Sequence, residues 1–212
     1  MKNMKRLLFI GTLFILLSGC GNKNLDANFK KMEVSDKGIN GYTLDLRIYG
    51  SYKNQSINEI VRIENYKNEQ YNIKLSKGIN VETNAIEEEE YHIKDNKVYI
   101  IADDKETEYS KDINYKNPSV YLEGLNNIVK RSKKSTEKIG ENEYTVYDVT
   151  FKKDVVNKIL KDTILNDLKV DKNVEGKIYL DKEGYIYRII YNVGDITINA
   201  NYFGMDKARE IR

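Results

Sequence analysis

The chain has few of the residues that form disulfides in small domains or bind zinc. Among its 212 residues are one cysteine, one proline, one histidine and no tryptophan. A single cysteine cannot form an internal disulfide, so the stability of the fold must come from a buried apolar core. A catalytic zinc uses two or three His or Cys ligands, and this chain has too few of either.

Catalytic motifs are also scarce. His92, the only histidine, is accompanied by no Gly-x-Ser-x-Gly motif and no reactive cysteine, so a nucleophilic triad has no support. We interpret His92 as an ordinary strand residue. A carboxylate pair for glycosidic cleavage stays open, because the sequence does not reveal the separation of its 33 acids. The sequence predicts a protein that is not an enzyme and has no cofactor.

Without its first 19 residues, the chain has no excess of positive charge. Those residues hold three of the 35 Lys and Arg residues and none of the 33 Asp and Glu residues. Nucleic-acid binding needs a concentrated positive face, and the rest of the chain has no excess of positive charge to build one. We therefore expect no nucleic-acid partner.

Residues 1–19 are arranged like a secretory signal. Lys2, Lys5 and Arg6 precede an apolar run over residues 7–17. This run is shorter than the roughly 20 apolar residues that cross a bilayer. The pattern predicts a cleaved signal peptide rather than a permanent membrane helix.

A lipid attachment motif follows the apolar run directly. Leu17, Ser18, Gly19 and Cys20 resemble the lipobox of bacterial lipoproteins. Leu17, Ser18 and Gly19 would be recognised by the signal peptidase, and Cys20 supplies the thiol that receives a diacylglyceryl group. The resemblance implies a protein held stably by its acyl chains at the extracytoplasmic face of the cell membrane.

The predicted boundaries divide the chain into three parts. Residues 1–19 form the signal peptide, residues 20–38 the lipidated N-terminus and a flexible tether, and residues 39–212 a single β-rich domain. A flexible segment of about 18 residues spans roughly 23 Å. The domain would therefore work close to the membrane.

From residue 41 the apolar pattern has a period of two, which predicts strands with one buried face. Lys-Asn, Lys-Gly and Asp-Asn pairs supply turn signals between the strands. Tyr185 and Ile186 begin a strand that is apolar on both faces, so we expect the sheet to be covered there on both sides. The predicted strands cover residues 42–49, 57–66, 70–75, 91–94, 97–102, 135–139, 143–152, 174–180, 185–192 and 195–203.

Two apolar helices are predicted in the second half of the chain. The first begins at Asn117-Pro118, and the second is capped by Asp154. Apolar residues recur at helical spacing in both. They are Tyr121, Leu125 and Ile128 in the first helix, and Val156, Ile159, Leu160, Ile164, Leu165 and Leu168 in the second.

This order of elements resembles the LolA/LppX-like family of lipoprotein carriers over about residues 40–205. Residues 201–209 are also similar to the tails of Gram-positive lipoproteins of this type. The resemblance implies an α+β fold, in which two or so helices cover the concave face of a curved antiparallel sheet, an unclosed β-barrel. It also implies acyl chains between helices and sheet, but it carries over no ligand residue. The residues alone allow an ordinary filled core equally well.

One segment is similar to the opening of a calcium-binding loop. Asp171, Asn173, Glu175 and Gly176 match the first positions of an EF-hand, but Lys182 stands where a bidentate glutamate is required. We interpret the segment as a strand, with Gly176 as a bulge or bend. The sequence therefore predicts no metal site.

Clusters of like charge have two interpretations each. Glu87–Glu90 and Asp103-Asp104 could gather cations, but we favour a role in keeping hairpin edges soluble. The densest basic cluster either contacts anionic headgroups or is a solvated helix end. It consists of Lys130, Arg131, Lys133 and Lys134.

Three classes of function follow. The leading hypothesis is a membrane-anchored module that binds or presents a lipid or another hydrophobic ligand. The alternative is a non-enzymatic scaffold that binds another envelope or spore protein. An envelope hydrolase is the third, and it would need a defined carboxylate pair.

Overall fold

A computed structural model describes residues 41–66, 70–80 and 85–204. The predicted signal peptide, Cys20 with its lipobox, the tether and residues 205–212 lie outside these ranges. The described chain contains eleven strands. They are β1 (Gly41–Tyr52), β2 (Gln55–Tyr66), β3 (Gln70–Asn80), β4 (Ala85–Lys94), β5 (Lys97–Ala102), β6 (Lys105–Glu108), β7 (Ile128–Ile139), β8 (Asn142–Phe151), β9 (Val174–Leu180), β10 (Ile186–Val193) and β11 (Ile196–Phe203).

All eleven strands form one antiparallel sheet in the order β6-β5-β4-β3-β2-β1-β11-β10-β9-β8-β7. The first and last strands therefore meet in the middle, where Leu46 of β1 pairs with Ala200 of β11. β6 and β7 end the sheet at opposite sides and do not pair with each other. The predicted curved, unclosed antiparallel sheet is confirmed.

Tight turns join the early strands. Lys53-Asn54, Asp95-Asn96 and Asp103-Asp104 all have positive φ, between 48° and 62°, which is the geometry of two-residue type I′ hairpin loops. The predicted Lys-Gly turn is wrong, because Lys77-Gly78 lies within β3. The pairing of β3 with β4 shifts there, between Ser76 and Gly78, so glycine marks a bulge instead of a chain reversal.

The first helix is shorter than predicted. Helix α1 spans Val120–Glu123 and continues as a 3₁₀ turn over Gly124–Asn127. Ile128 already belongs to β7, because it pairs with Phe151 of β8. The β-branched pair Ile128-Val129 favours a strand over a further helical turn.

The second helix, α2, spans Lys153–Lys161. Asp154 lies in its first turn and does not cap it. Asn173 supplies the oxygen at this end, because its Oδ1 accepts a hydrogen bond of 3.1 Å from the backbone N–H of Lys153. No helix in the described ranges is long and apolar enough to cross a membrane.

The core lies on one face of the sheet. Four alternate residues of β1, Tyr42, Leu44, Leu46 and Ile48, are at most 1% exposed. Helix α2 packs on this inner face through one apolar stripe. That stripe consists of Val155, Val156, Ile159 and Leu160.

A bulge changes the alternation within β10. The pairing of β10 with β9 shifts between Ile186 and Arg188, so Ile186 and Ile189 both face the core, although they are three residues apart. Tyr187 instead packs on the outer face with Tyr144. The strand has apolar cover on both faces, as predicted. Strict alternation predicts Tyr187 on the face of Ile189 and Tyr191, with Ile186 on the other face, and the bulge exchanges the faces of Tyr187 and Ile186.

Gly176 lies in regular pairing between Val149 of β8 and Tyr191 of β10, so the predicted bulge at this glycine is wrong. A Cβ atom at this position would lie 2.0 Å from the carbonyl oxygen of Ile190 and 2.7 Å from the Phe151 ring. Glycine is required here because of this close approach of the backbone.

Candidate functional site

A cavity of about 290 Å³ lies between the inner face of β2, β3 and β4 and the chain segment 109–115, which we call the wall segment. Ile73 and Leu75 of β3 contribute apolar surface to it, and Ile113 contributes from the wall segment. Its volume is near the lower end of the roughly 300–1,000 Å³ found for ligand pockets. We refer to this space as the wall cavity.

A buried carboxylate lies at one side of the wall cavity. Glu59 is only 7% exposed, because β2 places it on the same face as Ile57, Val61 and Ile63. An acid within an apolar alternation is costly to bury unless hydrogen bonds satisfy it. The alternation in the sequence could have identified Glu59, but the sequence analysis missed it.

Tyr115 supplies a hydrogen bond to that carboxylate. Its hydroxyl donates to Glu59 Oε2, and its backbone N–H donates to the carbonyl oxygen of Asp162 at 2.7 Å. The residue is fully buried with a φ of 66°, a left-handed conformation that is uncommon for a bulky side chain. Burial and the neighbouring carboxylate of Glu59 raise the pKa of the Tyr115 phenol well above its usual range, so it stays a donor.

Asp162 holds the chain at and just after the end of the wall segment. Its carboxylate accepts hydrogen bonds from the hydroxyl of Tyr121 at 3.2 Å and from the backbone N–H of Asn117 at 3.3 Å. Burial raises the pKa of Asp162 to about 6. The wall segment is thus attached to β2 through Glu59 and to the end of α2 through Asp162.

A second carboxylate and two aromatic rings line the cavity on the β4 side. Glu89 accepts a hydrogen bond of 2.8 Å from the hydroxyl of Tyr91, two residues along the same face. The ring of Tyr109 lies 5.6 Å from that of Tyr91, tilted by 58°. Asp112 stands at the exposed end of the cavity, 2.5 Å from the ammonium of Lys116.

Within the predicted acidic run over Glu87–Glu90, Glu89 and Glu90 have different surroundings. Strand alternation directs Glu89 into the wall cavity, whereas Glu90 pairs with Lys74 across the outer face at 3.2 Å. Asp103-Asp104 occupies the β5–β6 turn. Of Glu88, Glu89, Glu90, Asp103 and Asp104, whose side chains are described, only Glu89 lines the cavity.

Tyrosines fill much of the core beneath the middle of the sheet. Tyr42 and Tyr202 pack edge to face with ring centres 5.5 Å apart, and Tyr191 donates a 2.7 Å hydrogen bond to the carbonyl oxygen of Tyr121. Gly124 permits this contact, because a Cβ there would lie 2.4 Å from the Tyr191 hydroxyl. This part of the fold is packed with side chains.

The other predicted candidate residues lie apart from the wall cavity. His92 is on the outer face of β4, where its Nδ1 lies 2.5 Å from Glu106 Oε1. Asn173 caps α2, as described above. Within the described ranges, no three His, Cys, Asp or Glu residues are grouped so that they could hold a metal ion.

The basic cluster is part of a strand and does not form a helix end. Lys130, Arg131, Lys133 and Lys134 all belong to β7. The Arg131 guanidinium lies 5.0 Å from the centre of the Tyr147 ring. The solvated-helix interpretation is therefore wrong, for the same reason that the first helix ends early.

A separate aromatic cluster lies on the outer face of β8, β9 and β10. The rings of Tyr144 and Tyr187 stack at 4.1 Å, and the Arg188 guanidinium lies 5.3 Å from the Tyr179 ring. Val146 and Ile190, with Ile139 of β7, complete the cluster. We call these residues the outer tyrosine cluster.

Two solved structures share this architecture. Lipoprotein LppX of Mycobacterium tuberculosis matches with a TM-score of 0.58 at 10% sequence identity, covering 91% of this chain and 100% of that chain. LprF of Mycobacterium bovis matches with a TM-score of 0.61 at 7% identity, covering 90% of this chain and 97% of that chain. No family model and no curated protein matches the sequence. These likenesses show the fold, in agreement with the predicted architecture.

Proposed function

We propose that this protein is an exported lipoprotein whose domain binds a hydrophobic ligand at the outer face of a bacterial cell membrane, without catalysing a reaction. The wall cavity carries this proposal, because Ile73, Leu75 and Ile113 give it apolar surface. Ile164, also at the cavity, is 41% exposed and leaves apolar surface at its opening. The likeness in fold to a lipoprotein, LppX, supports the same assignment.

Native mass spectrometry of the chain from residue 21 onward, purified gently from a bacterium, tests the binding function. We expect a co-purifying mass that organic extraction identifies as lipid or another hydrophobic molecule. Ile113→Trp would fill the wall cavity and abolish this mass. Ile60→Trp adds the same bulk on an exposed residue outside the cavity and would retain it. A clean apo mass that stays unchanged when lipids are offered would overturn the proposal.

The anchor has its own test. The proposal places a signal peptide at residues 1–19, lipid on Cys20 and a tether up to residue 38. Cells grown with a labelled fatty acid should incorporate the label into this protein, and Cys20→Ser should remove the label and release the protein from the membrane. An unlabelled wild-type protein would contradict anchoring through Cys20, whatever the cavity binds.

The outer tyrosine cluster favours a second candidate function, that of a scaffold for another envelope protein. Tyrosine and arginine are enriched at the energetic centres of protein interfaces, and Tyr187 and Arg188 are both half-buried here. A stoichiometric partner that co-purifies with the wild type but is lost with Tyr187→Ala would support this function. Loss of the partner with Ile113→Trp instead would place its contact at the wall cavity.

A further inference from the structure

We propose that Arg188, in the outer tyrosine cluster, binds the carboxylate of an acidic side chain on a partner protein. This inference rests on the scaffold function proposed for that cluster, because it names the chemistry of the partner at the same surface. The orientation of Arg188, its contacts along the sheet and the tyrosines around it each support the inference.

The guanidinium of Arg188 is held in one orientation. Its Nε donates a hydrogen bond of 2.6 Å to Oδ1 of Asn201, the residue beside it on β11. The ring centres of Tyr179 and Tyr187 lie 5.3 Å and 5.1 Å from the guanidinium carbon, and Nη2 lies 3.4 Å from the Tyr187 hydroxyl. An arginine that is fixed in this way loses little conformational freedom when it binds a carboxylate.

A second arginine in the same row of the sheet has its charge compensated. The row runs from Arg62 of β2 through Asp45 and Asn201 to Arg188. Arg62 donates hydrogen bonds of 2.8 Å and 3.0 Å to the two carboxylate oxygens of Asp45. Arg188 instead meets the amide of Asn201, which accepts a hydrogen bond but carries no charge. The chain therefore supplies a carboxylate to only one of these two arginines.

Arg188 has N–H groups left for a further acceptor. Among the residues that the structure describes, no Asp or Glu forms an ion pair with it, and its polar contacts are those to Asn201 and Tyr187. Its Nη1 has no acceptor there and is not enclosed by the protein. A half-buried guanidinium attracts an anion more strongly than a fully solvated one, because less water screens the charge. A carboxylate fits because its two oxygens match two N–H groups of the guanidinium.

The surroundings of Arg188 favour a protein over a phospholipid surface. Tyr144 and Tyr187 stack beside it at 4.1 Å, and tyrosine and arginine are enriched at the energetic centres of protein interfaces. An anionic membrane is instead recognised by clusters of roughly four to eight basic residues. Lys177, on the outer face of the adjacent strand β9, lies 3.7 Å from Glu137 and so adds no uncompensated charge.

The test compares two peptides that differ in one charge, acetyl-Phe-Asp-Phe-amide and acetyl-Phe-Asn-Phe-amide. The full chain, in dodecyl maltoside, carries isotope-labelled arginine, and NMR follows the Nε–H signals while each peptide is added. We expect the Asp peptide to shift the Arg188 signal and to bind about tenfold more tightly than the Asn peptide. The Arg62 signal should not move, because Asp45 already pairs with that guanidinium.

Two variants and one control locate the effect. Arg188→Gln should remove the preference for the Asp peptide, and Arg188→Lys, which keeps the charge but loses the planar fork, should reduce it. Arg47→Gln removes an exposed arginine from the outer face of β1 and should keep the full preference. Thermal unfolding of each variant identifies any that fails to fold.

The outcomes separate this inference from the scaffold function. Equal binding of the two peptides, no binding of either, or an equal loss with Arg47→Gln overturns the inference. A co-purifying partner that is lost with both Tyr187→Ala and Arg188→Gln supports it. A partner that is lost with Tyr187→Ala but retained with Arg188→Gln leaves the scaffold function standing without the acidic contact. If the wild type co-purifies with no partner, the scaffold function fails and the inference fails with it.

Three other occupants would each overturn the assignment in a distinct way. Tighter binding of glycerol 3-phosphate than of the Asp peptide at Arg188 would indicate a phospholipid headgroup. A wild-type dimer that Arg188→Gln converts to a monomer would indicate a second copy of the chain. Binding of the Asp peptide only after Asp206→Asn and Glu210→Gln would indicate that the end of this chain supplies the carboxylate.

Discussion

The centre of the sheet and its β4–β6 side belong to one antiparallel sheet but differ in burial. In β1 the inward residues are almost fully buried, whereas Val98 and Ile100 of β5 are half-buried and every residue of β6 is exposed. Helix α2 covers the centre, while on the β4 side the inner face meets the wall segment and the wall cavity. Strands of one sheet thus border either a packed core or an open cavity, depending on what covers them.

The two regions should differ most in the unfolding free energy that each loses when one isoleucine is shortened to alanine. Ile48→Ala in β1 empties a fully buried site and should cost about 3–4 kcal/mol of unfolding free energy. Ile100→Ala in β5 removes a half-buried side chain and should cost about 1 kcal/mol. Urea unfolding of the chain from residue 21 measures both. Equal losses would show that the β4–β6 side is as tightly packed as the centre.

Tyr115 connects the two regions, and Tyr115→Phe should have the next largest effect. The variant leaves the buried Glu59 without the hydroxyl donor, which should cost about 1–3 kcal/mol. Tyr49→Phe removes a hydroxyl from a side chain that is 46% exposed, and its cost should stay below about 0.5 kcal/mol. If both variants unfold at the same urea concentration, the Tyr115–Glu59 contact does not stabilise the wall segment.

Asp162 should make the free energy of unfolding depend on pH. Because burial raises its pKa from 3.8 to about 6, the folded protein binds more protons than the unfolded chain between these values. Its contribution is therefore full below about pH 4 and is lost as the pH rises through 6. Asp162→Asn stays neutral, so its stability relative to wild type should rise by roughly 1–2 kcal/mol between pH 4 and pH 7, allowing for partial solvent exposure.

Urea unfolding at several pH values measures this effect. Asp154→Asn is a matched control, because Asp154 is an exposed carboxylate in the first turn of α2. A stability difference between Asp162→Asn and wild type that does not change with pH would contradict the role of Asp162.

The smallest expected effect lies on the outer face of the β4–β6 side. Glu106 bridges Lys94, at 2.7 Å, and His92. These partly exposed pairs are screened by water, so Glu106→Gln should cost at most about 0.5 kcal/mol, and less in high salt. If Glu106→Gln lowered the unfolding free energy more than Tyr115→Phe does, the outcome would contradict this order. The ion pairs of the outer face would then stabilise the β4–β6 side more than the wall segment does.

Strand alternation was the most reliable guide to the fold. β9 occupies the predicted residues 174–180, and β1 and β2 extend the predicted strands by a few residues. Local patterns predict strands well because burial on one face imposes a period of two. They missed β6, whose residues Lys105–Glu108 are exposed and have no apolar alternation.

The predictions that failed did so because contacts between distant parts of the chain override local patterns. Asn117-Pro118 correctly predicted a helix start nearby, but pairing with β8 takes over at Ile128 and ends the helical spacing. Glu59 was visible as an acid in an apolar alternation, whereas its partner Tyr115 was not, because nothing in the local sequence indicates a tyrosine with positive φ. The wall cavity depends on two segments far apart in the chain, so no local pattern specifies it.

The tyrosines of the core have a consequence for the behaviour of the protein in alkali. Burial raises the pKa of Tyr42, Tyr191 and Tyr202 well above that of a free phenol. These phenols cannot ionise at ordinary alkaline pH while the fold is intact, but each can do so once it is exposed. Stability should therefore fall as the pH rises above about 10. In an ultraviolet titration, surface phenols would ionise gradually, whereas core phenols would ionise together when the protein unfolds. Because the chain has no tryptophan, this cooperative and reversible step in tyrosine absorbance would measure unfolding directly.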